Sequence, residues 1–114
     1  MKKTSNWINL SLEDKKIVPL HKINGVECWS CSGQDYFVLN ILNFKHNGFF
    51  IELGADDGVR KSNTYTLEKN YNWNGICIDA CESMYNKCLI TRNCTILNEC
   101  IYIDNSEIEY LDAN

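Results

Sequence analysis

An α/β fold built on a parallel sheet is what this sequence predicts, and three observations carry the expectation. Short apolar runs of strand length stand at 49–53, 76–79 and 94–97. Segments with helical spacing of apolar residues lie before and between them. Turn-forming residues punctuate the junctions, at His46-Asn47-Gly48, across 54–61 and at Asn74-Gly75. Strands that alternate with helices make βαβ units, and such units build parallel sheets.

Residues 1–31 hold the only proline, Pro19, and no sustained period, so they read as an N-terminal arm ahead of a domain over 32–114. Within the arm, Ser11-Leu12-Glu13-Asp14 has the form of a short-helix cap. Ser32-Gly33-Gln34-Asp35 has capping-box spacing with Asp in the place of Glu, and Phe37, Ile41 and Phe44 follow at i, i+4 and i+7. That pattern predicts a helix of about three turns. Phe49-Phe50-Ile51-Glu52-Leu53 has the composition of a buried strand. Ser62-Asn63-Thr64 supplies helix-start residues, and Leu67 and Tyr71 then fall one turn apart on a packing face. Ile76-Cys77-Ile78-Asp79 is the next strand and ends in a carboxylate. A helix over Glu82–Thr91, with Met84, Tyr85, Cys88 and Leu89 on one side, leads to the third strand. Beyond it, Ile101-Tyr102-Ile103 and residues 108–111 flank Asp104-Asn105-Ser106 as a hairpin extension.

With 114 residues, 45% of them hydrophobic and 23% charged, the chain suffices for one small packed domain. A net charge of -4 and 11 scattered Lys and Arg residues offer no basic stripe, which argues against nucleic acid as a partner. No apolar run approaches the roughly 18 to 20 residues of a membrane span. The first residues lack the apolar centre of a signal peptide, so a soluble cytoplasmic protein is expected. Seven cysteines, an odd number without a secretory signal, suit free thiols in a reducing compartment. Cys28, Cys31, Cys77 and Cys81 could in principle bind zinc, but the second pair has an uncommon spacing and begins inside an apolar strand. No metal site is expected, and Cys77, Cys88, Cys94 and Cys100 read as small core residues. Trp73 and Tyr71 could stack on a base or cover the sheet edge.

In an α/β sheet, ligands bind beyond the carboxyl ends of the strands. Here the first such turn is Glu52-Leu53-Gly54-Ala55-Asp56-Asp57-Gly58. Gly54 and Gly58 would let backbone approach a ligand, while Asp79, at the end of the next strand, stands where ribose hydroxyls are held. The layout suits an adenosine-containing cofactor. A dinucleotide would bring a pyrophosphate to the loop, but the G-x-G-x-x-G spacing is missing and Asp56 and Asp57 add like charge. S-adenosyl-L-methionine carries cationic sulfonium and ammonium groups, which Glu52, Asp56 or Asp57 would attract.

These segments resemble the FkbM-type S-adenosylmethionine-dependent methyltransferases. The resemblance rests on the blocks at 32–39, 48–58 and 62–69, on Trp73-Asn74-Gly75-Ile76-Cys77-Ile78-Asp79 and on the region of Asn98-Glu99-Cys100, in the family's order and spacing. It covers about 32–111 and implies a Rossmann-like class I methyltransferase sheet, represented by its first three strands and the hairpin extension, the N-terminal half of the catalytic domain. It implies a cofactor-binding set of Gln34, Asp35, Glu52, Gly54, Ala55, Asp57, Gly58, Ser62, Asn63 and Asp79. Within it the 52–58 loop wraps the methionine part, Asp79 holds the ribose, and Gln34 and Asp35 close the site from the preceding helix. The family usually has Glu then Pro where this chain has Asp79-Ala80.

The resemblance implies methyl transfer to a hydroxyl of a sugar or small metabolite, with the acceptor and the catalytic base unidentified. Two rivals stand beside it. One is a truncated, non-catalytic module that binds cofactor or partner; the other is half of a nicotinamide-dependent dehydrogenase, which fits the βαβ skeleton but not the acidic loop. In the family's sheet, the strand at 49–53 has a neighbour on each side, and only one of them falls within this chain. Self-association, or a complementing chain on the open edge, is therefore expected.

Overall fold

The computed structural model describes residues 18–111. Strands β1 (His21–Ile23) and β2 (Val26–Cys28) form an antiparallel hairpin, followed by α1 (Gln34–Ile41), β3 (Phe49–Leu53), α2 (Tyr65–Tyr71), β4 (Asn74–Ile78), α3 (Glu82–Thr91) and β5 (Thr95–Leu97). The last three strands make a sheet of order β3-β4-β5, and both of its pairings are parallel. The chain is thus α/β, with a small three-stranded parallel sheet and three helices among the described residues. Among the described residues, no helix is long and apolar enough to cross a membrane.

Paired residues of parallel strands point to the same face of a sheet. Phe50, Glu52 and Cys77 therefore share one face, and all three are buried. Leu39 of α1, Leu67 of α2 and Cys88 of α3 join Phe50, Trp73 and Cys77 in the core. Helices thus gather on that face. Across the sheet, Phe49, Ile51 and Leu53 remain 60%, 63% and 58% exposed. The expected buried strand is buried on one face only, because the helices cover one side and leave the β3 side chains of the other exposed, although Ile78 of β4, in register with Leu53 on that face, is buried.

Local differences from the sequence reading have similar causes. Residues 21–28, expected to be irregular, pair as a hairpin around Asn24 and Gly25, both in the left-handed backbone region that such a turn needs. The candidate cap at 11–14 lies outside the described residues. Ser32-Gly33-Gln34-Asp35 does not form a capping box, since Gly33 occupies the cap position at φ 76° and no side chain bonds there. Phe37 and Ile41 of α1 are exposed, and the helix instead buries Asp35 and Leu39. The segment 98–111 holds no strand. Asp104 does accept the N–H of Ser106 at 2.8 Å, so the turn forms. Its flanks are exposed and do not pair with each other, Tyr110 instead donating its hydroxyl to the Ala80 carbonyl at 2.7 Å, and a lone two-stranded hairpin is marginal in water.

Of the cysteines expected in the core, Cys77, Cys88 and Cys94 are buried and Cys100 is exposed. Trp73 is a core residue whose Nε1–H donates to the Lys45 carbonyl at 2.7 Å. A Cβ on Gly48 would overlap the Trp73 ring, so glycine there admits the indole.

Candidate functional site

Backbone hydrogen bonds draw the carboxyl ends of β3, β4 and β5 together. The N–H groups of Gly54 and Ala55 both donate to the Ile78 carbonyl, at 2.8 and 3.1 Å, and the Asp79 N–H donates to the Leu97 carbonyl at 3.1 Å. Gly54, at φ 68°, turns the chain out of β3. A Cβ built on Gly54 would meet nothing within 4 Å, so the backbone there borders open space.

The Asp79 carboxylate links two of these ends. Oδ2 accepts the N–H of Asp56 at 2.8 Å, and Oδ1 accepts the N–H of Cys81 at 2.9 Å. A carboxylate has about four acceptor positions, so each Asp79 oxygen keeps capacity for a ligand hydroxyl. Asn98, past β5, donates through Nδ2 to the carbonyls of Asp79 and Ala80, at 2.9 and 3.1 Å.

The structure separates the three carboxylates expected to attract a cationic ligand. Glu52 accepts hydrogen bonds from Ser62 Oγ at 3.0 Å, the Asn63 N–H at 2.7 Å and Thr64 Oγ1 at 2.6 Å. It also lies 3.5 Å from Arg92 Nη1. Asp57 holds the N–H groups of Val59 and Arg60, at 2.9 and 2.8 Å, and pairs with Arg60 Nε at 2.6 Å. Asp56 is half-buried, and its carboxylate makes no hydrogen bond or ion pair with the described residues. Burial, then the charges of Asp57 and Asp79, push the Asp56 pKa up against the opposing pull of Arg60 and Lys87. A cation beside Asp56 would relieve that field.

The residues named from the sequence therefore fall into separate groups. Gly54, Ala55 and Asp79 meet at the strand ends, where Asp56, absent from the named set, joins them. Glu52, Ser62 and Asn63 are brought together by bonding to one another. Ser62 Oγ also accepts the N–H groups of Thr64 and Tyr65, at 3.1 and 3.0 Å, and so starts α2. Gly58 does not border open space, because its Cβ would stand 2.7 Å from Thr91 Oγ1 and 2.9 Å from Arg92 Cγ. Its lack of a side chain lets α3 close on the loop. Asp35 is fully buried and accepts from the N–H groups of Trp29 and Ser30, at 2.7 and 3.3 Å, and from Ser30 Oγ at 2.6 Å. Gln34 is exposed, with Oε1 on the Ser32 N–H at 2.8 Å. Neither side chain bonds to the turn at 54–58.

Sequence reasoning also passed over Arg92, whose side chain is 0% exposed. Its Nε lies 3.1 Å from Glu68 Oε2, and its Nη1 and Nη2 donate to the Gly58 carbonyl and Thr64 Oγ1, both at 3.0 Å. The available signal was Glu52, since a carboxylate inside an apolar strand needs a buried partner. Burial pushes Glu68 up, but the Arg92 charge and hydrogen bonds from Cys94, Asn93 and Arg92 outweigh it and hold the carboxyl below its usual range. Among the described residues, no group of three or more His, Cys, Asp or Glu could hold a metal ion.

No protein-family profile, curated protein or solved structure matches this chain.

Proposed function

We propose that this chain binds S-adenosylmethionine at the carboxyl ends of β3 and β4. In this reading it is a methyltransferase-like protein of FkbM type, with β3, β4 and β5 as the first strands of a Rossmann-like class I sheet. The observation that carries the proposal is the latch between Asp79 and the Asp56 N–H, beside a glycine that borders open space and a carboxylate with no hydrogen bond or ion pair among the described residues.

The donor set suits the cofactor. Asp79 has acceptor capacity for ribose hydroxyls, Asp56 provides negative charge for the cationic end, and Gly54 admits close approach. The cofactor would supply an electrophilic methyl group, and the residues named here bind and orient it. A sugar or small-metabolite hydroxyl is the proposed acceptor. The absence of disulfides among the seven cysteines suits the reducing compartment proposed for the protein.

A non-catalytic cofactor-binding module is the second reading. It is favoured by the position of β3 at the sheet edge, which leaves no neighbouring strand among the described residues to wall an acceptor beside the 54–58 turn. A dinucleotide is disfavoured by Asp56 and Asp79, which would face its pyrophosphate with like charge.

Calorimetric titration with S-adenosylmethionine, S-adenosylhomocysteine and a nicotinamide dinucleotide tests the binding claim. Binding of the first two and not the third is expected; the reverse would overturn it. Turnover of S-adenosylmethionine with pooled hydroxyl acceptors then separates enzyme from binding module.

A further inference from the structure

Among the described residues no strand pairs with the outer edge of β3, and the register of that edge fits a second copy of itself. Asn74 N–H donates to the Gly48 carbonyl at 3.0 Å, and Gly54 N–H to the Ile78 carbonyl at 2.8 Å, so even-numbered positions aim their backbone groups at β4. By the two-residue period of a strand, the N–H and C=O groups of Phe49, Ile51 and Leu53 point to the open edge. Their side chains are apolar and exposed.

We propose that two copies of this chain pair antiparallel through β3, about a two-fold axis at Ile51, and join their sheets into one. In that register Ile51 lies opposite Ile51 of the second copy and Phe49 opposite its Leu53, so every outward-facing residue of β3 enters a hydrogen-bonded pair. Glu52 falls opposite Phe50 of the second copy, and no like charges meet.

Neighbouring registers fail on this count. An axis at Glu52 sets two carboxylates opposite one another, which is destabilising. An axis at Phe50 places Leu53 against Asn47, whose φ of 61° has already left the strand. The sequence Phe49-Phe50-Ile51-Glu52-Leu53 carries none of the Lys, Pro or bulge devices that keep edges apart. The opposite edge of the sheet is less suited, because β5 has only 3 residues. Pairing of β3 joins apolar stripes from both copies, but five residues a side bury less than the roughly 1,200 Å² of a stable interface. The dimer is therefore weak and concentration-dependent.

Sedimentation equilibrium across a wide concentration range tests this with two variants. Ile51→Lys places two ammonium groups at the axis, while Ile51→Pro removes an outward N–H and leaves the bonds to β4 in place. A monomer–dimer equilibrium is expected for the wild type, weakened roughly tenfold or more in both variants, with unchanged circular dichroism. Ile51→Lys decides alone if Ile51→Pro fails to fold, since Ile51 is exposed. A wild type that stays monomeric, or an Ile51→Lys chain that dimerises like the wild type, overturns the proposal. So does a dimer that Leu97→Lys in β5 disrupts and Ile51→Lys does not.

Discussion

The carboxylate of Asp79 accepts the backbone N–H of Asp56 at 2.8 Å, fastening the turn after β3 to the end of β4. Removing it in Asp79→Ala takes away the proposed ribose acceptor and releases the turn. Loss of a charged hydrogen bond of about 1.5 to 3 kcal/mol is expected for S-adenosylmethionine, with methionine alone much less affected. Calorimetry with both ligands makes the comparison, and equal losses would point to collapse of the turn.

Asp56→Asn keeps size and removes charge. If the Asp56 carboxylate attracts the sulfonium, the variant weakens S-adenosylmethionine more than S-adenosylhomocysteine, which lacks that charge. Because burial and the neighbouring carboxylates raise the Asp56 pKa, wild-type affinity for the cationic cofactor declines as pH falls toward that raised value. The decline begins at higher pH than for an ordinary aspartate. Titrations over a pH series read the onset, which Asp56→Asn should abolish.

The two glycines of the turn should separate binding from stability. Gly54→Ala meets no atom within 4 Å and costs only the left-handed backbone penalty of about 1 to 2 kcal/mol. The larger Gly54→Val should abolish cofactor binding by filling the approach. Gly58→Ala suffers the same backbone penalty and also overlaps Thr91 and Arg92, an overpacking cost of about 1 to 3 kcal/mol more. Urea unfolding of the Ala variants beside ligand titration of Gly54→Val checks the separation.

Arg92→Met leaves Glu52 buried without its cation and Glu68 with Lys69 alone, and a loss of about 3 to 5 kcal/mol is expected. The Glu68 pKa is lower folded than unfolded, so its contribution is complete above the unfolded value and disappears as pH falls through the folded one. Wild-type stability should fall in that acid window. The double change Arg92→Met with Glu68→Gln should recover part of the loss and flatten the pH dependence. Denaturant curves at several pH values measure both effects.

Thiol labelling should find two fast cysteines, Cys31 and Cys100, since the other five are buried. Burial, with the Asp35 charge adding to it, pushes the Cys28 pKa to about 11. Burial also takes Cys88 to about 12. Both should remain unlabelled until the chain unfolds. Rapid reaction of either would contradict the packing of α1 or α3.

Period and punctuation made the alternating elements legible in the sequence: the helix at Glu82–Thr91 and the strand at Phe49–Leu53 are where spacing and turn residues set them. Those signals are local, because backbone period and turn conformation depend on residues a few positions apart. The candidate site was legible only in its outline. Glu52, Asp56 and Asp57 are equivalent carboxylates when read along the chain, and their different roles come from Arg92 forty positions after Glu52 and from the donors at 62–64. Gly54 and Gly58 likewise look alike until α3 packs against one and leaves the other beside open space. Tertiary structure alone decided which carboxylate kept no partner among the described residues and which side chains of β3 stayed exposed. Burial and ion pairing depend on distances that only folding sets.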